Sequence, residues 1–299
     1  MATVGLIYTY VMRLRRFRWK LPSHTLLLGE RTLLMGVLNV TPDSFSDAGQ
    51  FLDPKAALAR ALQIEAAGAD ILDLGGESTR PGAKEISPQQ ELERVLPVLR
   101  ALRGRLRIPI SIDTRKAAVA LAAIDAGAEI VNDISALHFD PAMAEIVRRT
   151  RAGVVLMHMR GTPQTMQQGP FARDVLRDVR GGLQSAVTRA HAAGISRRQI
   201  VLDPGIGFGK NYAQNFQLLA QFAKLAPLGY PLLAGPSRKG FIGAALGSAK
   251  NPAPPSERVW GTAATVAAAI LAGAHIIRVH DVAEMVQVAR IADAIRSSQ

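Results

Sequence analysis

Residues 202–210, Leu-Asp-Pro-Gly-Ile-Gly-Phe-Gly-Lys, combine a carboxylate, three glycines and a lysine directly after the β-branched pair Ile200 and Val201. Glycine lets backbone N–H groups crowd around an anion and lysine supplies positive charge, so the stretch is a candidate phosphate cradle. Its spacing does not fit the common phosphate-binding loop, in which Ser or Thr follows the lysine, because Asn211 stands there. The carboxylate of Asp203 at a predicted strand end therefore needs another explanation.

Polar side chains also end most of the other predicted strands. They are Asn39, Asp73, Asp113, Asn132 with Asp133, His158, the 237–239 turn (Ser-Arg-Lys), and Arg278 with His280. A buried carboxylate is costly without partners, so several at one rim indicate a ligand rich in N–H donors. Asp133 and Asp281 fit helix capping better. Asp113 and Asp203 each follow apolar residues and precede a break, which favours ligand binding.

The elements that must position these side chains form a regular rhythm of short apolar strands and alanine-rich helices. The predicted strands cover residues 33–39, 71–75, 109–113, 130–134, 154–159, 200–203, 231–235 and 275–280. The predicted helices cover residues 54–67, 88–103, 116–126, 141–149, 175–193, 214–225, 257–271 and 282–296. Eight strand–helix units predict a single (β/α)8 TIM barrel, with a doubly wound sheet as the alternative.

Two further segments are predicted on the N-terminal side of the first barrel strand. Residues 17–20 and 25–28 are expected to pair as an N-terminal hairpin that closes the barrel bottom. Residues 1–20 are a basic N-terminal extension, and residues 21–299 form the barrel domain. Long breaks follow the first, second, fifth and seventh barrel strands, where such barrels keep their sites.

Composition limits the classes of chemistry and partner. The chain has no cysteine, which excludes thiolate catalysis and any sulfur-ligated zinc and is compatible with a cytoplasmic location. Its net charge of +12 favours an anionic ligand. The arginines are scattered without interleaved aromatic residues, and no apolar run reaches the roughly 18 residues of a membrane span. We therefore expect no nucleic acid and no membrane partner.

Eight motifs in order resemble those of the dihydropteroate synthases, the pterin-binding barrels of folate biosynthesis, over residues 32–294. They are residues 35–47 (MGVLNVTPDSFSD), 75–82 (GGESTRPG), 111–114 (SIDT), 132–134 (NDI), 156–161 (LMHMRG), 202–210 (LDPGIGFGK), 237–239 (SRK) and 278–282 (RVHDV). The departures from the family pattern, Ala48, Arg115 and Ile206, remove no proposed donor or acceptor.

The resemblance implies a transferase that joins (7,8-dihydropterin-6-yl)methyl diphosphate to 4-aminobenzoate, releasing diphosphate and forming 7,8-dihydropteroate. It implies a pterin site, whose residues are Asp113, Asn132, Met157, Asp203, Gly235, Lys239 and Arg278. It implies a diphosphate site of Asn39, Thr79, Arg278 and His280, with Mg2+ as cofactor held largely by diphosphate oxygens, Asn39 and water. The resemblance also implies that Asn39, Asp113, Lys239, Arg278 and His280 take part in catalysis.

The resemblance also implies an aminobenzoate site and loops that close over it, formed by Phe45, Asp47, Thr79, Arg80, Pro81, Phe208 and Ser237. Lys210 then loses its special status and is expected to be a solvated loop lysine. Family members are usually dimers through late barrel helices, so a homodimer is expected.

Two other functions fit part of the pattern. A pterin-dependent methyltransferase also binds a pterin through strand-end Asp and Asn, but it has no use for the 79–81 loop, the 237–239 turn or the Arg278 and His280 anion site. A pterin-binding paralogue without transfer activity is harder to dismiss, because one altered residue can abolish activity. Here every proposed catalytic position carries a suitable side chain.

Overall fold

A computed structural model describes residues 14–41 and 53–298 of the chain. The predicted roles of Phe45 and Asp47 lie outside the described residues. The described strands are β1 Phe17–Lys20, β2 Thr25–Leu28, β3 Leu33–Asn39, β4 Ile71–Gly75, β5 Ile110–Asp113, β6 Ile130–Asp133, β7 Gly153–Met157, β8 Ile200–Asp203, β9 Leu233–Ala234 and β10 Ile276–Val279. The described α-helices are α1 Pro54–Ala66, α2 Pro88–Leu102, α3 Ala117–Asp125, α4 Met143–Thr150, α5 Val175–Ala192, α6 Tyr212–Ala220, α7 Gly240–Leu246, α8 Val259–Leu271 and α9 Val282–Ser297.

Strands β3 to β10 form one parallel sheet that curls into a barrel. Hydrogen-bonded neighbours follow chain order from β3 to β8, β9 pairs with β10, and β10 pairs with β3. A parallel bridge between Leu202 and Leu232 joins β8 to the residue before β9 and closes the ring. The predicted TIM barrel is confirmed.

The N-terminal hairpin covers the amino ends of the barrel strands, as predicted. Strands β1 and β2 pair antiparallel, with Trp19 opposite Leu26. Trp19 is 1% exposed and donates its indole N–H to the carbonyl of Gln199 at 2.8 Å. It belongs to a buried cluster with the apolar residues at the strand starts, which are Leu33, Met35, Ile71, Ile130, Val155, Val201, Leu233 and Ile276. These residues fill the lower half of the barrel.

One helix was missed by the sequence prediction. Helix α7 lies inside the segment 237–256 that was expected to be a loop. Its seven residues include Gly240 and Gly243, so it is too short and too glycine-rich to show a helical period. Packing holds it in place, because Phe241 is buried and the guanidinium of Arg258 lies against Gly243.

Most predicted helix boundaries differ by one or two residues, and two predicted helices are partly 3-10 in the structure. The segment 214–225 is α6 followed by a 3-10 helix at Phe222–Leu228, and α8 is preceded by a 3-10 turn at Pro255–Glu257. Among the helices of the described part of the chain, none combines the length and the apolar character needed to cross a membrane.

Candidate active site

The two-residue period of the strands brings the predicted polar residues together above the apolar layer. Val37 lies opposite Asp73, Asp73 opposite Ser111, and Met157 opposite Asp203. The residues that share the inward face at the carboxyl ends of the strands are Asn39, Asp73, Asp113, Asn132, Met157, Asp203 and Arg278, with Gly235 directly after β9. A TIM barrel keeps its active site at this end.

Arg278 joins several of these residues. Its Nε donates to Asp73 Oδ2 at 2.6 Å and its Nη2 donates to Asp113 Oδ2 at 2.7 Å. Asn132 Nδ2 donates to the same Asp73 oxygen at 3.1 Å. Asp73 is fully buried, and its Oδ1 has no hydrogen-bond partner in the described structure. The sequence places Asp73 at a strand end without indicating its role, and the structure identifies it as the anchor of Arg278 and Asn132.

Burial makes the charged forms of Asp113 and Asp203 energetically unfavourable. Burial raises the pKa of Asp113 to about 7, although Arg278 opposes the shift, and Asp73 adds to it. Burial likewise raises the pKa of Asp203 to about 6, although the N–H of Gly205, donated to Oδ1 at 2.7 Å, opposes the shift. Carboxylates that are buried and only partly compensated are typical of functional sites.

Lys239 and Phe208 form the second part of the site. Lys239 Nζ lies 3.9 Å from the centroid of the Phe208 ring, a cation–π contact. Burial lowers the pKa of Lys239 to about 8, and the nearby Arg278 lowers it further, while Asp203 and Asp113 raise it. Phe208 also belongs to an apolar wall with Ile134, Met157 and Met166. A flat ring can therefore lie between apolar side chains and hydrogen-bonding groups.

Ser237 and His280 contact each other at the rim. Ser237 Oγ lies 3.0 Å from His280 Nδ1 and accepts the backbone N–H of His280 at 3.2 Å. Burial lowers the pKa of His280 to about 3, and the neighbouring Arg278, Arg238 and Lys239 lower it further. The imidazole is therefore neutral near pH 7, so it can act as a hydrogen-bonding group but adds no charge.

Ion pairs and hydrogen bonds anchor the loop after β4 to the barrel. Buried Lys116 Nζ donates to Glu77 Oε2 at 2.9 Å and to Glu91 Oε2 at 2.6 Å. Glu77 also accepts the backbone N–H of Ile86 at 3.1 Å. Gly82 donates its N–H to the carbonyl of Pro163 at 3.0 Å, which ties this loop to the loop after β7. The predicted substrate residues Thr79, Arg80 and Pro81 lie on the loop, and Arg80 and Pro81 are exposed.

Three sequence-based expectations are corrected. Lys210 is not solvated, because it is 2% exposed and its Nζ donates to the carbonyls of Gly205 and Phe208. Asp281 occupies the N-cap position of α9 but makes no capping hydrogen bond, because its carboxylate pairs with Arg238. Asp133 accepts the N–H groups of Ser135 and Leu137 and so stabilises a turn, well before α4 begins.

The comparisons with known proteins agree with this geometry. Residues 35–280 match the family model described as pterin binding enzyme. The dihydropteroate synthase of Synechocystis sp. is 49% identical over 267 residues, which are 89% of this chain and 91% of the relative.

Solved structures are similar over most of the chain. A Yersinia pestis dihydropteroate synthase solved with a sulfonamide drug complex has a TM-score of 0.87 and 44% identity, covering 95% of this chain and 100% of the other. A Xanthomonas albilineans dihydropteroate synthase in complex with 7,8-dihydropteroate has a TM-score of 0.82 and 39% identity, covering 94% of this chain and 99% of the other.

The barrel and its rim thus define a pterin-binding enzyme. Within that class, the chain belongs to the dihydropteroate synthases, which are transferases of folate biosynthesis. The resemblance found in the eight sequence motifs is confirmed.

Proposed function

We propose that this chain catalyses the condensation of (7,8-dihydropterin-6-yl)methyl diphosphate with 4-aminobenzoate, forming 7,8-dihydropteroate and releasing diphosphate. The observation that carries the proposal is the convergence of buried carboxylates, an amide and two cations around one apolar-walled site. This set matches the edges of a pterin and the charge of a diphosphate.

The pterin is assigned to the inward strand ends. Its amino group and ring N–H are donors that the Asp203 carboxylate can accept together. The Asp113 oxygen that does not bind Arg278, together with Asn132, is assigned to other ring positions. Lys239 is assigned to the ring carbonyl or a ring nitrogen, and Arg278 to stacking on the ring face. Met157 lies in the apolar wall, and Gly235 leaves room beside the Arg278 side chain.

The diphosphate is assigned to Asn39, Thr79, Arg278 and His280. When the C–O bond breaks, its electron pair leaves with the diphosphate and the pterin methylene becomes a cation. The arylamine nitrogen of 4-aminobenzoate then attacks that carbon and loses a proton. Arg278 supplies positive charge for the departing group. Neutral His280, with Nδ1 facing Ser237, offers Nε2 for a hydrogen bond.

The residues present fit the Mg2+ that the family implies. Among the described residues, no group of three His, Cys, Asp or Glu side chains can hold a metal. Mg2+ commonly takes few protein ligands when phosphates are present. Here it would be held mainly by diphosphate oxygens and water, with Asn39 Oδ1 as a protein ligand. When bound, Mg2+ would neutralise negative charge on the diphosphate.

The 4-aminobenzoate is assigned to the side of the site formed by Phe208 and Lys239, with Ser237 nearby. The loop residues Thr79, Arg80 and Pro81, and Phe45 and Asp47 of the first loop, are assigned to closing over both substrates. Since the Yersinia pestis relative is described with a sulfonamide drug, a sulfonamide is expected to compete with 4-aminobenzoate here.

A homodimer through the late helices is also proposed. Trp260 at the start of α8 is 78% exposed and Ile291 on α9 is 65% exposed. Leu246 at the end of α7 is 52% exposed and lies against Gly261, next to Trp260. Large exposed apolar side chains on adjacent helices indicate a protein contact, and a second copy is the partner we propose. The cytoplasmic location remains a prediction.

One assay separates the three functions considered. The pterin diphosphate is incubated with the protein and Mg2+, with and without 4-aminobenzoate, and diphosphate and dihydropteroate are measured. Dihydropteroate that forms only with 4-aminobenzoate supports the proposal. Pterin binding without turnover would instead indicate a pterin-binding paralogue that lacks transfer activity. Methyl transfer from a methylated folate, measured in parallel, would establish the methyltransferase instead.

A further inference from the structure

Lys210 is a buried lysine at the rim of the site, and it belongs to neither the pterin site nor the diphosphate site. Its Nζ donates to Gly205 O and Phe208 O at 2.9 Å each and lies 3.2 Å from His158 Nδ1. Burial lowers the pKa of Lys210 to about 7, while Asp203 and Asp178 oppose the shift. A buried ammonium group needs such acceptors to remain charged, and two of its acceptors belong to the loop after β8.

His158 and Asp178 extend the contact to α5. His158 Nε2 lies 3.3 Å from Asp178 Oδ2. Burial lowers the pKa of His158 to about 3, and Lys210 and Arg160 lower it further, so the ring is neutral. A proton on Nε2 then faces the carboxylate, and Nδ1 is free to accept from Lys210. The ring packs closely on Gly182 of α5, where an added Cβ would lie 2.4 Å from its Cδ2.

Gly205 is clamped between Lys210 and Asp203. Its N–H donates to Asp203 Oδ1 at 2.7 Å, and its carbonyl accepts both Lys210 Nζ and the N–H of Phe208. Its φ is +67°, and a Cβ there would lie 1.9 Å from the carbonyl oxygen of His158. Only glycine fits this peptide. The orientation of the Asp203 carboxylate therefore depends on Gly205, the residue whose carbonyl Lys210 holds.

The same loop places Phe208 beside Lys239. Gly207 donates its N–H to Asn215 Oδ1 at 2.6 Å, and a Cβ on Gly207 would lie 2.9 Å from Lys239 Cδ. Lys239 therefore crosses the loop before its ammonium group reaches the Phe208 ring. A shift of the loop would disturb Phe208 and Asp203 together, because Lys210 binds the carbonyl of Phe208 and that of Gly205, whose N–H binds Asp203.

We propose that Lys210 is a positioning residue: its buried ammonium group holds the carbonyls of Gly205 and Phe208, and thereby fixes Asp203 toward the pterin and Phe208 toward the aminobenzoate. The identity of these two substrates rests on the proposed function. The role of Lys210 in shaping the loop does not rest on the proposed function, so the loop and the function can be tested separately.

The test replaces Lys210 with methionine, which has a similar apolar stem and no charge, and compares Lys210→Met with Lys224→Met. Lys224 is exposed on the 3-10 helix after α6 and pairs only with Gln221 in the described structure, which makes it a matched control. Amide hydrogen exchange at Gly205 and Phe208 is measured in the ligand-free proteins, followed by kcat and both KM values.

Lys210→Met is expected to exchange these two amides at least about tenfold faster than wild type, while amides in β5 and β7 stay protected. The KM values for the pterin diphosphate and 4-aminobenzoate are both expected to rise at least about tenfold, with a smaller change in kcat. Lys224→Met should match wild type. If wild type itself shows no turnover, the proposed function fails, and the exchange rates still decide the role of Lys210.

Unchanged exchange and unchanged KM values in Lys210→Met would overturn the proposal. If that variant does not fold, Lys210→Gln, which keeps two N–H donors without charge, replaces it in the same measurements. Collapse of both variants would also overturn the proposal, because Lys210 would then be needed for folding rather than for placing the loop.

Discussion

The Asp203→Asn substitution tests the pterin assignment most sharply, because asparagine keeps the shape of the side chain and removes its charge. Asparagine can still accept the N–H of Gly205 through its oxygen, so the backbone contact at 2.7 Å can persist. Its amide nitrogen would instead face a pterin donor. A hydrogen bond to a charged group contributes about 1.5–3 kcal/mol, so losing one or two of them should cost about 3 kcal/mol, or about a hundredfold in Kd.

The same substitution should not destabilise the folded protein. Burial raises the pKa of Asp203 from 3.8 to about 6. Between these two pH values the folded protein binds more protons than the unfolded chain, so stability is lost as pH rises through the window, and the loss is complete above pH 6. At one pKa unit per 1.36 kcal/mol, this loss is up to about 3 kcal/mol. Asp203→Asn removes the charge, so its Tm at pH 8 should be no lower than that of wild type.

Calorimetric titration of the pterin diphosphate without 4-aminobenzoate measures Kd, and thermal unfolding at pH 8 measures Tm. Asp125→Asn, an exposed aspartate near the opposite end of the barrel, controls for loss of a carboxylate. Normal pterin affinity in Asp203→Asn would refute the assignment of this strand end. Weak binding together with a large fall in Tm would refute the stability reasoning.

The remaining predictions concern pH, the diphosphate and the dimer. The pH profile of kcat/KM should be bell-shaped: activity falls as pH drops through about 7, where Asp113 gains a proton, and falls as pH rises through about 8, where Lys239 loses one. A profile flat from pH 6 to 9 would contradict this. His280→Ala should raise KM for the pterin diphosphate by about tenfold, yet leave the affinity for a pterin without diphosphate unchanged, as calorimetry can check. Trp260→Glu should convert a dimer to a monomer in analytical ultracentrifugation, whereas Leu27→Glu, at a similarly apolar exposed position on the hairpin, should not; a dimeric Trp260→Glu protein would contradict the proposed interface.

The fold could be predicted from the sequence because its signals are local. Each apolar run is short, and several helices are followed by a glycine with positive φ, such as Gly68 or Gly127, within three residues of the start of the next strand. The same alternation also predicts which strand-end residues share the inward face. Asp203 and Arg278 could thus be placed at one rim before any contact between strands was known.

What the sequence did not predict depends on contacts between distant segments. Lys210 follows a glycine-rich loop and looks solvated, but the loop folds back over its side chain. Asp281 has the position of a helix cap, but Arg238, on a different loop, takes its carboxylate. The role of Asp73 becomes visible only when Arg278 crosses the barrel to reach it. Partners so far apart in the chain leave no pattern in the sequence.

The most direct test of the central claim is diphosphate release by the full chain with Mg2+ and the pterin diphosphate, measured in the presence and absence of 4-aminobenzoate. We expect diphosphate and dihydropteroate to appear in equal amounts, and only a slow background release when 4-aminobenzoate is left out. Tight pterin binding with no release under either condition would contradict the assignment of this site to group transfer.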